Sequence, residues 1–388
     1  MLEINVNFKT VSGSTTDCTK IKSIDRVHCE EISYSEFFSN YMLKNIPVII
    51  TSISDHWPCT KWTRQDEEHS KTAEIINFSQ ILKEIPDMKV PVANCSKQYF
   101  NSHEKIEMNF HNFLDYWKTE PKDDLLYLKD WHLRKELPQY NFYTVPKFFA
   151  SDWLNEILCE DNKDDYKFVY MGPKGTWTSF HCDVFTSFSW STNIVGQKKW
   201  IFLTPGEEKK LEDKLGNLPF SITEKELNEK DAKFFVIVQN PGEAIFVPSG
   251  WFHQVFNLKD TISINHNWFN GTQINCTWNA LENNLSQVEK EIDDCRDMEN
   301  FNEHCQVLLK ASFGMNFQDF LQLLQKIVEK TLNKTRSFEG FTYGDNHLRF
   351  DLDSVNNVLE TMEKSIWIKD EDTFQTIQNI KKLIECNG

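Results

Sequence analysis

The chain has 388 residues, of which 40% are apolar and 13% aromatic, enough for a substantial core spread over two or three structural units. Its 42 Lys and Arg stand against 58 Asp and Glu, a formal net charge of −16, and no basic run exceeds two residues. Nucleic acid is thereby excluded as an expected partner, since phosphate-backbone affinity comes from cationic side chains that displace counterions, whereas a basic protein partner is tolerated.

In chain order, the opening "MLEINVNFKT" lacks a cationic start followed by an apolar core, and no stretch approaches about 18 apolar residues. The expectation is a cytoplasmic protein with no membrane association. The sequons at Asn77 and Asn275 then read as chance matches. Residues 31–64 predict an amphipathic helix, a strand over Pro47–Thr51 and a Trp-rich turn, and residues 72–120 read as mostly helical. "DLLYLKDWH" from Asp124 predicts a strand. From about 166 to 268 short β-rich runs with turn residues between them predict a barrel or jelly roll. The charged segment "EEKKLEDKLGNLPFSITEKELNEKDAK" interrupts them as a helical or irregular excursion over the surface. Beyond 277, Trp278, Leu281, Leu285, Val288, Ile292 and Cys295 recur at the three-and-four spacing of one helix face, as do Phe317, Phe320, Leu321, Leu324, Ile327 and Val328. Ten cysteines are scattered without one C-x-x-C, which argues for reduced thiols rather than a zinc ribbon or a disulfide framework.

The chemistry-bearing pattern lies in "TSFHCDVFTSFSW". On a strand, His181 and Asp183 share a face and Cys182 looks away. A second histidine on the same point makes a 2-His-1-carboxylate site, and His253 in "PSGWFHQVFNL" is placed to supply it across a jelly roll. Either histidine alone also fits a hydrogen-bonded core role. In "GQKKW", Lys198 shares strand parity with Trp200 and Phe202, whereas Lys199 does not. If that face is interior, the ammonium of Lys198 needs an anion, and the alternative is a stem that snorkels to solvent.

These residues together resemble the JmjC family of Fe(II)- and 2-oxoglutarate-dependent oxygenases, which is built on a double-stranded β-helix. The carriers are His181-x-Asp183, Lys198 and "PSGWFHQVFNLKDTISINHNW", with "NIPVIITSISDHWPCTKWT" resembling the entry to the family's single-domain hydroxylases. "YMGPKGTWTSFHCDVFTSFSWSTN", "NHNWFNG" and "HCQVLLKASFGMNF" resemble more narrowly its lysyl-hydroxylase subgroup, whose substrate is the eukaryotic translation termination factor. The likeness runs over residues 31–330.

The resemblance implies a mainly β, cupin-like jelly-roll core (124–276), an N-terminal α/β region packed on it (1–123) and a C-terminal helical region (277–388). It implies iron on His181, Asp183 and His253, the distal carboxylate of 2-oxoglutarate on Lys198, molecular oxygen as oxidant, and further cosubstrate contacts from Thr178, Tyr127 and Asn265. Thr178 stands three residues before His181, the wrong parity for a regular strand, so a bulge or an entry turn is required there. Ser191 replaces an asparagine that some relatives carry. Trp131, Trp177 and Trp251 are candidates for the mouth of the site, with core packing as the other reading. A histone demethylase, a silent JmjC scaffold and a zinc-binding cupin-like protein are the rival functions, and a homodimer through the C-terminal helices is left open.

Overall fold

The computed structural model describes residues 1–7, 20–66, 70–161 and 163–387, with the backbone alone at 70–73 and 387. Cys18 therefore lies outside the described residues. The other nine cysteines are free thiols.

The first strands are β1 (Leu2–Ile4), β2 (Asp25–His28), β3 (Val48–Thr51), β4 (Thr63–Asp66), β5 (Ser70–Ile76), β6 (Lys89–Tyr99), β7 (Ser102–Asn109), β8 (Leu126–Trp131) and β9 (Lys167–Gly172). They are followed by β10 (Trp177–His181), β11 (Phe188–Val195), β12 (Lys198–Leu203), β13 (Phe234–Gln239), β14 (Ala244–Val247), β15 (His253–Asn257) and β16 (Thr261–Trp268). A last pair, β17 (Ser337–Phe338) and β18 (Phe341–Tyr343), lies among the C-terminal helices. A four-stranded sheet in the order β10-β15-β12-β13 faces a nine-stranded sheet in the order β2-β3-β14-β11-β16-β9-β8-β6-β7. The interleaving of late and early strands is that of a jelly roll.

Alternation on two central strands shows how the sequence makes an interior with chemistry in it. β11 and β16 pair antiparallel with Ser189 opposite Asn267 and Ser191 opposite Asn265. Ile262, Ile264 and Trp268, on the other parity, join Phe188 and Trp190 in the large apolar core under the N-terminal region. Because side chains alternate at period two, one face is left polar and inward while its reverse is packed.

The predicted helical stretch 72–120 is corrected. Helices cover only Phe78–Glu84 and Phe110–Lys118, and the long hairpin β6–β7 fills the space between. Val90 and Val92 are buried at period two there, while Glu104, Lys105 and Glu107, residues equally at home on a helix, lie on the partly or fully exposed second strand. Long-range pairing of β6 with β8, not local propensity, decided the outcome.

The segment between β12 and β13 is irregular, as expected, with one short helix at Glu224–Glu229. It is more than a surface excursion, because Leu211, Ile222 and Leu227 bury against Phe180, Ile201 and Leu203 on the outer face of the smaller sheet.

The helices expected after 277 are present at Ile274–Glu291 and Phe317–Leu332. Ile292 and Cys295 fall beyond the first, which ends at Glu291. With Phe301–Phe313, Asp345–Glu363 and Glu371–Asn387 these helices enclose a second core. No helix among the described residues is long and apolar enough to cross a membrane.

Candidate active site

The site lies between the two sheets, and a bulge makes it possible. β10 pairs with β15 so that Thr178 is opposite Val255 and His181 opposite His253. Three residues of one strand thus span two of the other, and the extra residue returns Thr178 to the face of His181. Both side chains line the same pocket.

Asp183 arrives by a different route from the one its parity suggested. The strand ends at His181, and Asp183 opens a tight turn, Val184–Thr186, in which Phe185 (φ 58°) and Thr186 (φ 50°) are left-handed. That strained conformation is held by packing and hydrogen bonds. Phe185 is buried against Tyr166, Phe269 and Phe313, its carbonyl accepts from Thr277 Oγ1 at 3.1 Å, and Ser249 Oγ donates to the carbonyl of Thr186.

The result is a cluster in which one donor atom from each of His181, Asp183 and His253 lies within 4.8 Å of the others, with the two imidazoles at a 4.4 Å centroid separation. Each ring is oriented through Nδ1, which lies 2.7 Å from the carbonyl of Ser179 in His181 and 3.0 Å from that of Trp251 in His253. A proton on Nδ1 leaves the Nε2 lone pair free for a metal. Asp183 accepts from Ser189 Oγ at 2.7 Å through one oxygen and keeps the other. Burial, and then the neighbouring His253, push the imidazole of His181 down to about 4, which keeps it neutral, the form that ligates. Two nitrogens and one carboxylate oxygen on one side suit a divalent transition metal with open positions.

Lys198 is 2% exposed, and its ammonium donates to Ser263 Oγ at 2.6 Å and reaches Ser191 Oγ at 3.5 Å. No carboxylate pairs with it among the described residues. Burial, reinforced by Lys129, lowers it to about 7. An ammonium so placed calls for an anion from outside the chain. Lys199 points the other way, to Glu224 at 2.6 Å on the surface.

Tyr127 and Asn265 also line the pocket. Asn265 Nδ2 donates to Ser263 Oγ at 3.1 Å, one bond from the Lys198 ammonium. Gly172 makes room for Tyr127, because a Cβ there would sit 2.5 Å from the ring.

Of the two readings of the tryptophans, packing away from the pocket is the one found. Trp131 packs at 4.9 Å on Phe110, Trp251 donates to the carbonyl of Asn45 at 3.0 Å, and Trp177 meets Phe220 and His103 edge to face. The aromatic lining comes from Tyr127, Tyr170, Trp190 and Trp200. Ser189, Ser263, Asn267, Tyr170 and Lys129 were not foreseen as site residues. The polar parity of Ser263, Asn265 and Asn267 in "SINHNW" was the available signal for the β16 members.

Residues 34–274 match the model of the cupin-like domain. A Drosophila melanogaster protein named 2-oxoglutarate and iron-dependent oxygenase JMJD4 homolog is 49% identical over 89% of each chain. The Danio rerio 2-oxoglutarate and iron-dependent oxygenase JMJD4 is 39% identical over 88% of each. The chain belongs to the JMJD4 family of 2-oxoglutarate and iron-dependent oxygenases. An Arabidopsis thaliana protein named arginine-specific demethylase JMJ20 is 37% identical over 79% of this chain and 70% of its own. The pocket fits what the JMJD4 family name requires, since it offers a neutral-imidazole and carboxylate donor set for iron and an uncompensated buried cation for a dicarboxylate.

Proposed function

We propose that this protein is a lysyl hydroxylase of the eukaryotic translation termination factor, acting in the cytoplasm. In this reading His181, Asp183 and His253 hold the iron, and Lys198 binds the distal carboxylate of 2-oxoglutarate with Thr178, Tyr127 and Asn265 around it. The observation that carries the oxygenase chemistry is the His-Asp-His cluster beside a buried ammonium with no carboxylate of its own. When bound, iron and 2-oxoglutarate activate oxygen, one atom going to succinate as carbon dioxide leaves and the other to a substrate C–H bond.

The chain's own contribution is geometry. The carbonyls of Ser179 and Trp251 fix both imidazoles, Ser189 fixes the carboxylate, and Trp200 and Tyr170 line the pocket. What the reaction yields depends on which carbon is presented. Oxygen inserted at an N-methyl gives an unstable hemiaminal and loss of formaldehyde, whereas a side-chain methylene gives a stable alcohol. The net charge of −16 suits a basic protein surface, and "HCQVLLKASFGMNF", in the narrower likeness, contributes Phe313 to the packing around Phe185.

Mass spectrometry of the termination factor after incubation with the protein, Fe(II) and 2-oxoglutarate should show one added oxygen on an unmethylated lysine. The name of the Arabidopsis relative favours a second reading, demethylation. Formaldehyde from methylated peptides with no oxygenated lysine establishes that reading and overturns the first.

A further inference from the structure

β8 carries a second bulge, just after a charge that the iron and 2-oxoglutarate assignments leave unused. Leu128 pairs with Met171 and Trp131 with Val169, so three residues again span two, and Asp130 takes the left-handed conformation at φ 60°. Lys129, half-buried, lines the same pocket as Lys198 and the His-Asp-His cluster.

The two lysines flank one ring. Lys129 Nζ lies 5.6 Å from the centroid of Tyr170 and Lys198 Nζ lies 5.7 Å from it. Neither has a carboxylate within 4 Å among the described residues. The neighbouring carboxylate of Asp130 feels the charge of Lys129 but gives its hydrogen bonds to other groups, accepting from Tyr170 Oη at 2.8 Å and from Lys105 Nζ at 3.2 Å. A lysine on a strand ordinarily pairs or extends its ammonium to water. Here it shares strand parity with Tyr127 and lines a cleft that already holds a buried cation, and like charges in a low-dielectric space repel. An anion bound in the cleft relieves that repulsion.

We propose that Lys129 is a second cationic anchor for the dicarboxylate cosubstrate, acting with Lys198 across the Tyr170 ring. This rests on the reading of the pocket as a 2-oxoglutarate site. It makes the pocket selective for a dianion through two ammonium groups on different strands, one deep on β12 and one nearer solvent on β8. A monoanionic oxo acid leaves one of them uncompensated.

The test is binding, measured without turnover. Titration calorimetry of the inert dicarboxylate N-oxalylglycine into the full chain loaded with Mn(II) compares wild type with Lys129→Gln, Lys129→Arg and Lys198→Gln. Lys129→Gln should weaken binding roughly tenfold or more, as loss of a charge-assisted contact does, and Lys129→Arg should restore most of it. Circular dichroism and Mn(II) affinity should stay at wild-type values in both. If Lys129→Gln binds within twofold of wild type while Lys198→Gln is impaired, the inference fails and the pocket reading stands. If Arg is no better than Gln, the role is structural and the inference also fails. If Lys198→Gln binds as tightly as wild type, the 2-oxoglutarate pocket itself is wrongly placed.

Discussion

Lys198 shows how one residue sets function against stability. Its ammonium is buried with only hydroxyl partners, and burial first, then Lys129, lowers its pKa to about 7. Lys198→Met should therefore stabilise the ligand-free protein while raising the 2-oxoglutarate requirement at least about 100-fold, since breaking a buried charge pair costs about 3–5 kcal/mol. Lys199→Ala, which loses only a surface contact to Glu224, should change neither noticeably. The sign of the pH effect follows from the lowered pKa. Between about 7 and the unfolded value near 10.5 the unfolded chain holds a proton that the folded one lacks, so ligand-free stability rises with pH in that window, by at most about 1.4 kcal/mol per unit. Cosubstrate affinity runs the other way and should fall above pH about 7, because the carboxylate needs the charged lysine. Denaturant melts and calorimetry from pH 6.5 to 9, each compared with Lys198→Met, check both slopes. At the metal, Asp183→Ala should abolish Mn(II) binding and turnover with the fold intact. Succinate formation that still depends on substrate in that variant would remove Asp183 from the site.

At the scale of elements, the C-terminal helices belong to the site without touching the pocket. The left-handed turn that carries Asp183 is wedged by Phe185 into the helical core, against Phe313 at 5.5 Å, and Thr277 Oγ1 donates to its carbonyl. Gly314 ends the Phe301–Phe313 helix at φ 90°, where a Cβ would sit 3.1 Å from the Phe185 ring. Gly314→Ala should thus destabilise by about 1–3 kcal/mol through backbone strain and also lower Mn(II) affinity by displacing Asp183. Phe313→Ala, which opens space in place of a clash, should lower Mn(II) affinity while losing stability through lost packing rather than backbone strain. Metal titration alongside thermal melts separates the two effects, and unchanged Mn(II) affinity in both variants would reduce the bundle to a passive neighbour. Through this packing "HCQVLLKASFGMNF", well outside the β core, bears on the position of Asp183.

For the whole molecule, the excess of acidic groups acts at a distance that single contacts do not. With a net charge of −16, association with a basic protein substrate should be steered electrostatically, so kcat/KM for that substrate should fall as salt rises from 50 to 300 mM. Metal affinity, set inside the barrel, should move much less over the same range. A salt-independent kcat/KM would mean that the substrate is recognised by apolar or neutral contacts. Binding to the native state alone also stabilises it, so Mn(II) with N-oxalylglycine, each at about 100 times its Kd, should each add about 2.7 kcal/mol to the unfolding free energy.

Which residues meet in the pocket was legible where chemistry and periodicity coincide. His181, Asp183, His253 and Lys198 stand in motifs whose residue types admit few uses, and the inward parity of Lys198 against Lys199 follows from strand geometry. The C-terminal helix faces were likewise legible from spacing, because burying one stripe of a helix is a local requirement. Three things were decided only by tertiary structure. Residues 89–109 became a hairpin because β8 was there to pair with β6, a partner that no local window contains. The bulge at 178–181 re-aims Thr178, and a bulge is a mismatch between two strands that neither strand's sequence specifies by itself. Asp183 reached its place through a left-handed turn held from outside by Phe313, Thr277 and Ser249. A strained backbone of that kind persists only when distant packing imposes it, so it is written in the contacts of the folded chain rather than in its local sequence.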